Sequence, residues 1–337
     1  MNALLTGGTG YIGSHTSVVL SKLGHQVVLY DNLSNSSDSV LKKLAQITGQ
    51  QISFVRGDLR DTELLEKALA THNIDAVIHF AGFKAVGESV DKPVDYYANN
   101  VQGTISLLQA MYATKVKTLV FSSSATVYGE PQYLPLDESH PTSSTNPYGR
   151  SKLHIEEMLN DVASSDGDWR IACLRYFNPV GAHDSGLIGD SPKGVPNNLM
   201  PYVAQVAAGL RAELRVFGND YPTADGTGVR DYIHIMDLAE GHAAALAFLS
   251  RNAGWHGINL GTGKGYSVLD IVRVFEKVSG RQVPYKIVPR RMGDVAACYA
   301  DSQKAVKLLN WRCARTLEQM CASTWQYQHA QGAIAEV

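Results

Sequence analysis

The sequence predicts an α/β protein: a doubly wound parallel sheet with a smaller C-terminal α/β domain. Two observations carry this. Short apolar runs alternate with longer amphipathic stretches through the first half of the 337 residues. The runs are continuously apolar rather than alternating, as strands covered on both faces require. Strands are expected over 2–6, 26–30, 52–56, 75–79, 117–122 and 170–175, and helices over 11–24, 62–71, 96–113 and 147–163. Strand–helix alternation of this kind builds a parallel sheet with helices on both faces.

The pattern changes after Arg175. Residues 176–230 are rich in Gly, Pro, Asn and Asp, with one helical stretch near 198–209. An irregular segment of that length in a compact protein is usually functional. Regular α/β character returns at 232–246 and 257–263, and helical patterns follow around 267–278 and 315–328. The expected division is a nucleotide-binding domain at 1–175, with a returning segment around 231–262, and a substrate domain from 176–230 and 263–337.

Composition narrows the function. The chain is 45% apolar and 18% charged with a formal net charge of −2, an ordinary globular balance. No long basic run is present, which argues against nucleic-acid or anionic-membrane partners. The four cysteines, Cys173, Cys298, Cys313 and Cys321, form no C-x-x-C pair, so reduced thiols in a cytoplasmic protein are expected. No basic, apolar and cleavage regions follow one another at the start, and no apolar run is long enough to span a bilayer. Eleven histidines lie without ligand spacing, so no metal is expected.

In "TGGTGYIG", Gly7, Gly10 and Gly13 follow the first strand at three-residue intervals and open the first helix. Gly7 permits the tight turn, Gly10 lets a pyrophosphate approach the backbone, and Gly13 lets the helix pack on the sheet. Asp31 ends the next strand, "QVVLYD". A carboxylate there accepts from both ribose hydroxyls and repels a 2′-phosphate, which favours NAD over NADP. These features make the first domain Rossmann-type. Asp58, in "VRGD", is placed either to contact adenine or to cap the next helix.

The stretch "NPYGRSK" places Tyr148 and Lys152 one helical turn apart behind an Asn146 cap and Pro147 at the first helical position. An isolated pair at this spacing would be two solvated residues. Here the strand "KTLVF" ends in "SSSATVYG", which sets Ser122, Ser123 and Ser124 at the carboxyl end of a parallel strand, where open α/β sheets bind ligands. A hydroxyl, a phenol and an ammonium beside a dinucleotide point to alcohol–ketone redox chemistry. A tyrosine acting as base near pH 7 needs its pKa lowered by about three units, roughly 4 kcal/mol. Lys152 and oxidised nicotinamide both push that way.

The glycine loop, the serine and the Y-x-x-x-K pair resemble the extended short-chain dehydrogenase/reductase superfamily. "HFAGFKAVGES", "FSSSATVYG", "LRYFNPVGAH", "PNNLMPY", "FGNDYPTADGTGVRDYIH" and "PRRMGD" narrow the resemblance, over nearly the whole chain, to the UDP-glucose 4-epimerase family. The resemblance implies tightly bound NAD held by Tyr11, Ile12, Asp31, Asn32, Asp58, Leu59, Phe80, Lys84, Asn99, Lys152 and Phe177. It implies a UDP-sugar held by Asn178, Asn198, Leu199, Phe217, Arg230, Arg291 and Asp294, with Ser124 and Tyr148 at the sugar. It also implies a homodimer, through a bundle of the helices at 96–113 and 147–163. Two arginines suit a diphosphate, because guanidinium groups pair phosphate oxygens in fixed geometry. The implied reaction is transient oxidation at C4, turning of the 4-keto sugar, and hydride return to the other face.

At the position of "DVAACYAD" that varies in this family stands Cys298, far smaller than the tyrosine some members carry. The resemblance therefore implies activity on UDP-N-acetylglucosamine and UDP-N-acetylgalactosamine as well, although Tyr299 is adjacent. Three rivals stand beside this reading. A nucleotide-sugar 4,6-dehydratase needs an acid/base pair where this chain has Ala125 and Thr126. A plain nucleotide-sugar dehydrogenase would need fresh NAD at each turnover. A non-enzymatic NAD sensor would have no use for Ser124, Tyr148 and Lys152 together.

Overall fold

The computed structural model describes residues 1–192, 194–291 and 293–335, with side chains as far as Gln331. The N-terminal half runs β1 (Asn2–Thr6), α1 (Tyr11–Lys22), β2 (Gln26–Asp31), α2 (Ser39–Thr48), β3 (Ser53–Arg56), α3 (Thr62–Thr71) and β4 (Ala76–His79). There follow α4 (Val86–Asp91), α5 (Pro93–Tyr96), α6 (Gly103–Thr114), β5 (Thr118–Ser124), α7 (Pro147–Ser165) and β6 (Arg170–Tyr176). The remainder is β7 (Asn178–Val180), α8 (Leu199–Ala207), β8 (Leu214–Phe217), β9 (Val229–His234), α9 (Ile235–Leu249) and β10 (Gly254–Leu260). It ends with β11 (Gly265–Ser267), α10 (Val268–Ser279), β12 (Tyr285–Val288), β13 (Ala297–Cys298), α11 (Gln303–Leu309) and α12 (Leu317–Ala335).

Seven strands form one sheet in the order β10-β6-β5-β4-β1-β2-β3, every pairing parallel. The chain steps outward from β1 to β3 and then crosses back to β4. That reversal opens a crevice at the carboxyl ends of β1 and β4, where doubly wound sheets bind ligands. The strands bury both faces, as their apolar runs require. On one face Val18 and Leu20 of α1, Leu44 of α2, and Leu238 and Leu246 of α9 pack with Trp311. On the other, Leu65 of α3, Leu107 and Met111 of α6, and Ile155 and Leu159 of α7 pack around Trp169. Each such large apolar side chain contributes roughly 1.5–3 kcal/mol on burial.

Beyond Tyr176 a second body is built on β9, which pairs with β7, β11 and β13; β8 and β12 pair separately. Its core joins Met200 and Val203 of α8, Tyr232 of β9, Phe275 of α10 and Met320 of α12. Here the structure corrects the expected return around 231–262. Residues 231–234 belong to β9 and the second sheet, and only α9 and β10 rejoin the large sheet. The last two positions of the 263–337 segment lie outside the described residues.

The helix expected over 96–113 is interrupted. A π-helical turn, Tyr97–Gln102, separates α5 from α6. Two close fits accompany it. Buried Asn100 accepts from the N–H of Phe83 at 2.8 Å and donates to its carbonyl at 3.0 Å, pinning the loop after β4. Gly103 lies so near Leu59 that a Cβ there would stand 2.7 Å from its Cδ2.

Four of the buried histidines make the fold acid-sensitive. His79 accepts at Nδ1 from Thr6 (2.7 Å) and donates at Nε2 to Thr104 (3.0 Å), the arrangement left once Thr104 donates to Asn100. Burial lowers His79 and His234 to about 3, and His15 and His242 to about 4. Their folded values lie below the unfolded one, so the unfolded chain binds more protons between these values and about 6.5. The stability they contribute is complete above about pH 6.5 and is lost as pH falls, toward 4 for His15 and His242 and toward 3 for His79 and His234, by about 1.4 kcal/mol per pH unit for each histidine. Calorimetry in buffers of different ionisation enthalpy should show proton uptake on unfolding at pH 5 and a melting temperature falling from pH 7 to 5. A flat melting temperature without proton uptake would contradict this assignment.

Candidate active site

The loop between β1 and α1 is shaped by its glycines. Gly7 has φ +68°, and a Cβ on it would stand 2.7 Å from the Ala81 nitrogen, so β1 and the segment after β4 approach backbone to backbone. A Cβ on Gly13 would stand 2.5 Å from the Gly7 carbonyl oxygen, inside the turn itself. Gly10 precedes α1 and offers no side-chain cap, which leaves the first-turn N–H groups for an anion. The Tyr11 hydroxyl donates to the Gly181 carbonyl at 2.6 Å, tying this loop to the second body.

In front of the loop lies a cleft of about 750 Å³. Gly7, Gly10, Tyr11, Ile12, Gly13, Asp31 and Asn32 line it, together with Leu59, Phe80, Lys84 and Asn99. Its size, its glycine-lined floor and its carboxylate fit an extended dinucleotide. The Asp31 carboxylate is fixed by the N–H groups of Thr9 (3.2 Å) and Leu33 (2.8 Å) and by the Ser36 hydroxyl (3.1 Å).

Asp58 does not cap the next helix, because Asp61 does, accepting from the Leu64 N–H at 3.0 Å. The Arg60 guanidinium beside Asp58 holds its carboxyl well below the usual carboxylate range, and Asn32 donates to it at 3.1 Å. Asp58 thus orients Asn32, which does line the cleft. Phe177 is buried among Val127, Tyr128, Leu136 and Ala300 and does not line the dinucleotide cleft.

Where β5 meets α7, Ser124 and Tyr148 come together. The Ser124 oxygen accepts from the Thr126 N–H (3.2 Å) and the Thr126 hydroxyl (3.0 Å). Its own proton is therefore available to Tyr148 or to a ligand. Burial raises the Tyr148 pKa, and the hydrogen bond from Ser124 opposes that rise. Lys152 does not reach the phenol: its ammonium donates to the Ser122 carbonyl at 2.7 Å and stands 4.8 Å above the Phe121 ring. Burial lowers Lys152 to about 8. Asn146 caps α7 through the Gly149 N–H at 2.9 Å. Gly149 is required there, since a Cβ would stand 2.9 Å from the Thr126 carbonyl oxygen.

The residues expected at the substrate fall into two groups. Arg291 lies 4.4 Å from the Phe217 ring and donates to Asp294 at 3.1 Å, while Arg230 stands 4.0 Å from the same carboxylate. Arg230 on β9 is paired in register with Cys298 on β13, so these five residues form one basic, half-covered cluster. Asn178 opens β7, and Asn198 precedes α8, whose first residue is Leu199. Asn198 lines the dinucleotide cleft.

A family model described as GDP-mannose 4,6 dehydratase matches residues 4–324. The chain is 56% identical over 328 residues to UDP-glucose 4-epimerase of Bacillus subtilis (strain 168), covering 97% of both. Its structure superposes on that of UDP-glucose 4-epimerase from Stenotrophomonas maltophila, solved with bound NAD and formylated UDP-arabinopyranose. There the TM-score is 0.98 at 51% identity, covering 99% of both chains. For the Bifidobacterium longum UDP-glucose 4-epimerase, in complex with NAD+ and UDP, the TM-score is 0.96 at 52% identity, covering 98% and 99%.

This chain belongs to the UDP-glucose 4-epimerase family. The dehydratase description of the broader family model does not carry over, because the Thr126 side chain is spent on Ser124 and Ala125 has no functional group. In this epimerase-family chain, sequence reasoning missed the far wall of the cleft. Asp190 and Tyr327 line it from segments distant in sequence that no local motif marks, joined by Asn197 from "PNNLMPY".

The glycine geometry separates two variants. Gly10→Ala adds a methyl whose one close neighbour is the Gly7 oxygen at 3.1 Å, whereas Gly13→Ala drives a methyl into the turn. Purified Gly10→Ala should retain a near-native melting temperature but carry less NAD. Gly13→Ala should lose both, by roughly 1–3 kcal/mol of stability. Equal NAD content in all three proteins, measured after denaturation, would contradict the cradle.

Proposed function

We propose that this chain interconverts UDP-galactose and UDP-glucose, with Tyr148 as the acid–base group at O4 of the sugar. The observation that carries this is the meeting of Ser124 and Tyr148 at the carboxyl end of β5, with the Lys152 ammonium 3.7 Å from where a Cβ on Gly82, which lines the dinucleotide-sized cleft, would stand. NAD, when bound, supplies a hydride acceptor and donor and a positive charge. Ser124, already accepting from Thr126, directs its proton to O4 and aligns it. Tyr148 takes the O4 proton as the C–H bond at C4 breaks and gives it back when that bond re-forms, so one residue serves both directions. Burial raises the phenol's pKa, so lowering it toward 7 needs at least 4 kcal/mol or so of electrostatic support. Lys152, buried with its ammonium on Ser122, is the chain's own source of that charge.

Inversion requires the hexose to present its other face while the nucleotide stays held. Arg230 and Arg291 suit the diphosphate, and the shared Asp294 keeps both guanidinium groups aimed at one place. We extend the reading to N-acetylated UDP-sugars on the strength of Cys298. Its side chain packs with the cluster containing Ala125 and Phe177, next to Ser124, whereas Tyr299 points toward Gly265. These contacts support Cys298, rather than Tyr299, as the side chain turned toward the sugar. We also propose a homodimer, supported by exposed Val90, Val94, Ile105 and Tyr112 on α4, α5 and α6. A cytoplasmic location is supported by four free cysteines.

Purified protein given UDP-galactose without added NAD should yield UDP-glucose. Tyr148→Phe should lower the rate by about 10²-fold or more with unchanged NAD content. No product from protein shown to contain NAD would overturn the assignment. Separately, Cys298→Tyr should abolish turnover of UDP-N-acetylgalactosamine and spare UDP-galactose, as read by product chromatography. Retention of both activities would remove Cys298 from the specificity argument.

A further inference from the structure

Tyr148, Lys152 and Glu156 stand four residues apart along one stripe of α7. Three consecutive serines of β5 meet them one by one. The Ser124 hydroxyl meets Tyr148, the Ser122 carbonyl accepts from Lys152 at 2.7 Å, and the Ser123 hydroxyl donates to the Glu156 carboxylate in a short hydrogen bond. Glu156 is 2% exposed. It also accepts from Arg175, at 3.1 Å from Nε and 2.6 Å from Nη2. Arg175 continues to the Tyr128 hydroxyl at 3.0 Å, which donates to Asn259 at 2.7 Å. The stripe therefore holds a carboxylate with no exposed face, bound to a permanent cation and placed one turn below a buried lysine.

We propose that Glu156 is a positioning residue whose fixed negative charge, set in place by Arg175 and Ser123, keeps Lys152 an ammonium in the working enzyme. This rests on the reading of Tyr148 and Lys152 given above. The charges around Lys152 leave Glu156 as the group able to do so. From β6, Cys173 faces it as a buried thiol held neutral by a raised pKa, and Tyr176 is a neutral phenol on the Ser122 side. From β4, His79 is neutral, and on α7 itself Tyr148 is the remaining titratable neighbour. Burial favours loss of the Lys152 proton, and Glu156 opposes that loss. With the carboxylate removed, Arg175, which stays charged, would share the buried region with Lys152.

The sign of the effect makes the test. The Lys152 titration is followed in the NAD-containing enzyme by NMR of 13Cε-labelled lysine, assigned with Lys152→Arg, and the alkaline limb of the epimerase pH profile is measured beside it. Glu156→Gln should lower both midpoints by about one pH unit or more. Arg175→Met, which leaves Glu156 to Lys152 alone, should raise them, and the double variant should lie near wild type. Should Glu156→Gln fail to fold, Arg175→Met and the charge-keeping Glu156→Asp, expected at the wild-type midpoint, still decide. Midpoints that stay fixed, or that move the same way in Glu156→Gln and Arg175→Met, would overturn the proposal. A wild-type protein inactive on UDP-sugars would instead overturn the functional reading, and the NMR titration would still test the charge relation.

Discussion

The registration of α7 against the end of β5 is the constraint on which the site depends. A parallel strand ends with backbone carbonyls and side chains facing the crevice, and a helix laid across that end can present one stripe to it. Gly149 lets α7 come close enough to the turn after β5. Asn146 fixes where the helix begins, and the serine contacts fix its rotation. A one-residue slip would turn Tyr148 about 100° away from Ser124. The paired serines and helix residues therefore convert a packing register into a chemical geometry.

Electrostatics in this site follow from burial. Removing a lysine and a tyrosine from water moves both toward their neutral forms, the reverse of what acid–base work at O4 needs. The fold counters this with fixed partners rather than solvent: a carbonyl on Lys152, a hydroxyl on Tyr148, and the Glu156–Arg175 pair beneath them. Breaking a buried pair by removing one partner costs about 3–5 kcal/mol. Such a pair costs much to disturb, and its placement beside the lysine ties stability to the charge state of the site.

The large sheet was legible because its signals are local. Apolar strand runs, the glycine turn and the Asn146-Pro147 helix start each sit within a few residues, and Asp31 ends a strand whose register is set by its neighbours. The second body was less legible. β9 reads in sequence as part of the returning α/β segment, because its apolar content does not reveal which sheet it joins. The break at 97–102 was hidden because it depends on Asn100 reaching a loop and Gly103 reaching Leu59. Asp58 and Lys152 show the same limit: each lies where the motif puts it, yet its partner, Arg60 or the Ser122 carbonyl, is a matter of three-dimensional neighbours.

The central claim is that the hydrogen leaving C4 returns to that same carbon within one closed site, while Tyr148 handles only the O4 proton. UDP-galactose deuterated at C4, turned over in ordinary water, tests it directly by mass spectrometry of the UDP-glucose formed. The account predicts product that keeps its deuterium at C4. Product with protium at C4 would mean exchange with solvent, and a closed redox cycle beside Ser124 and Tyr148 could not be the reaction.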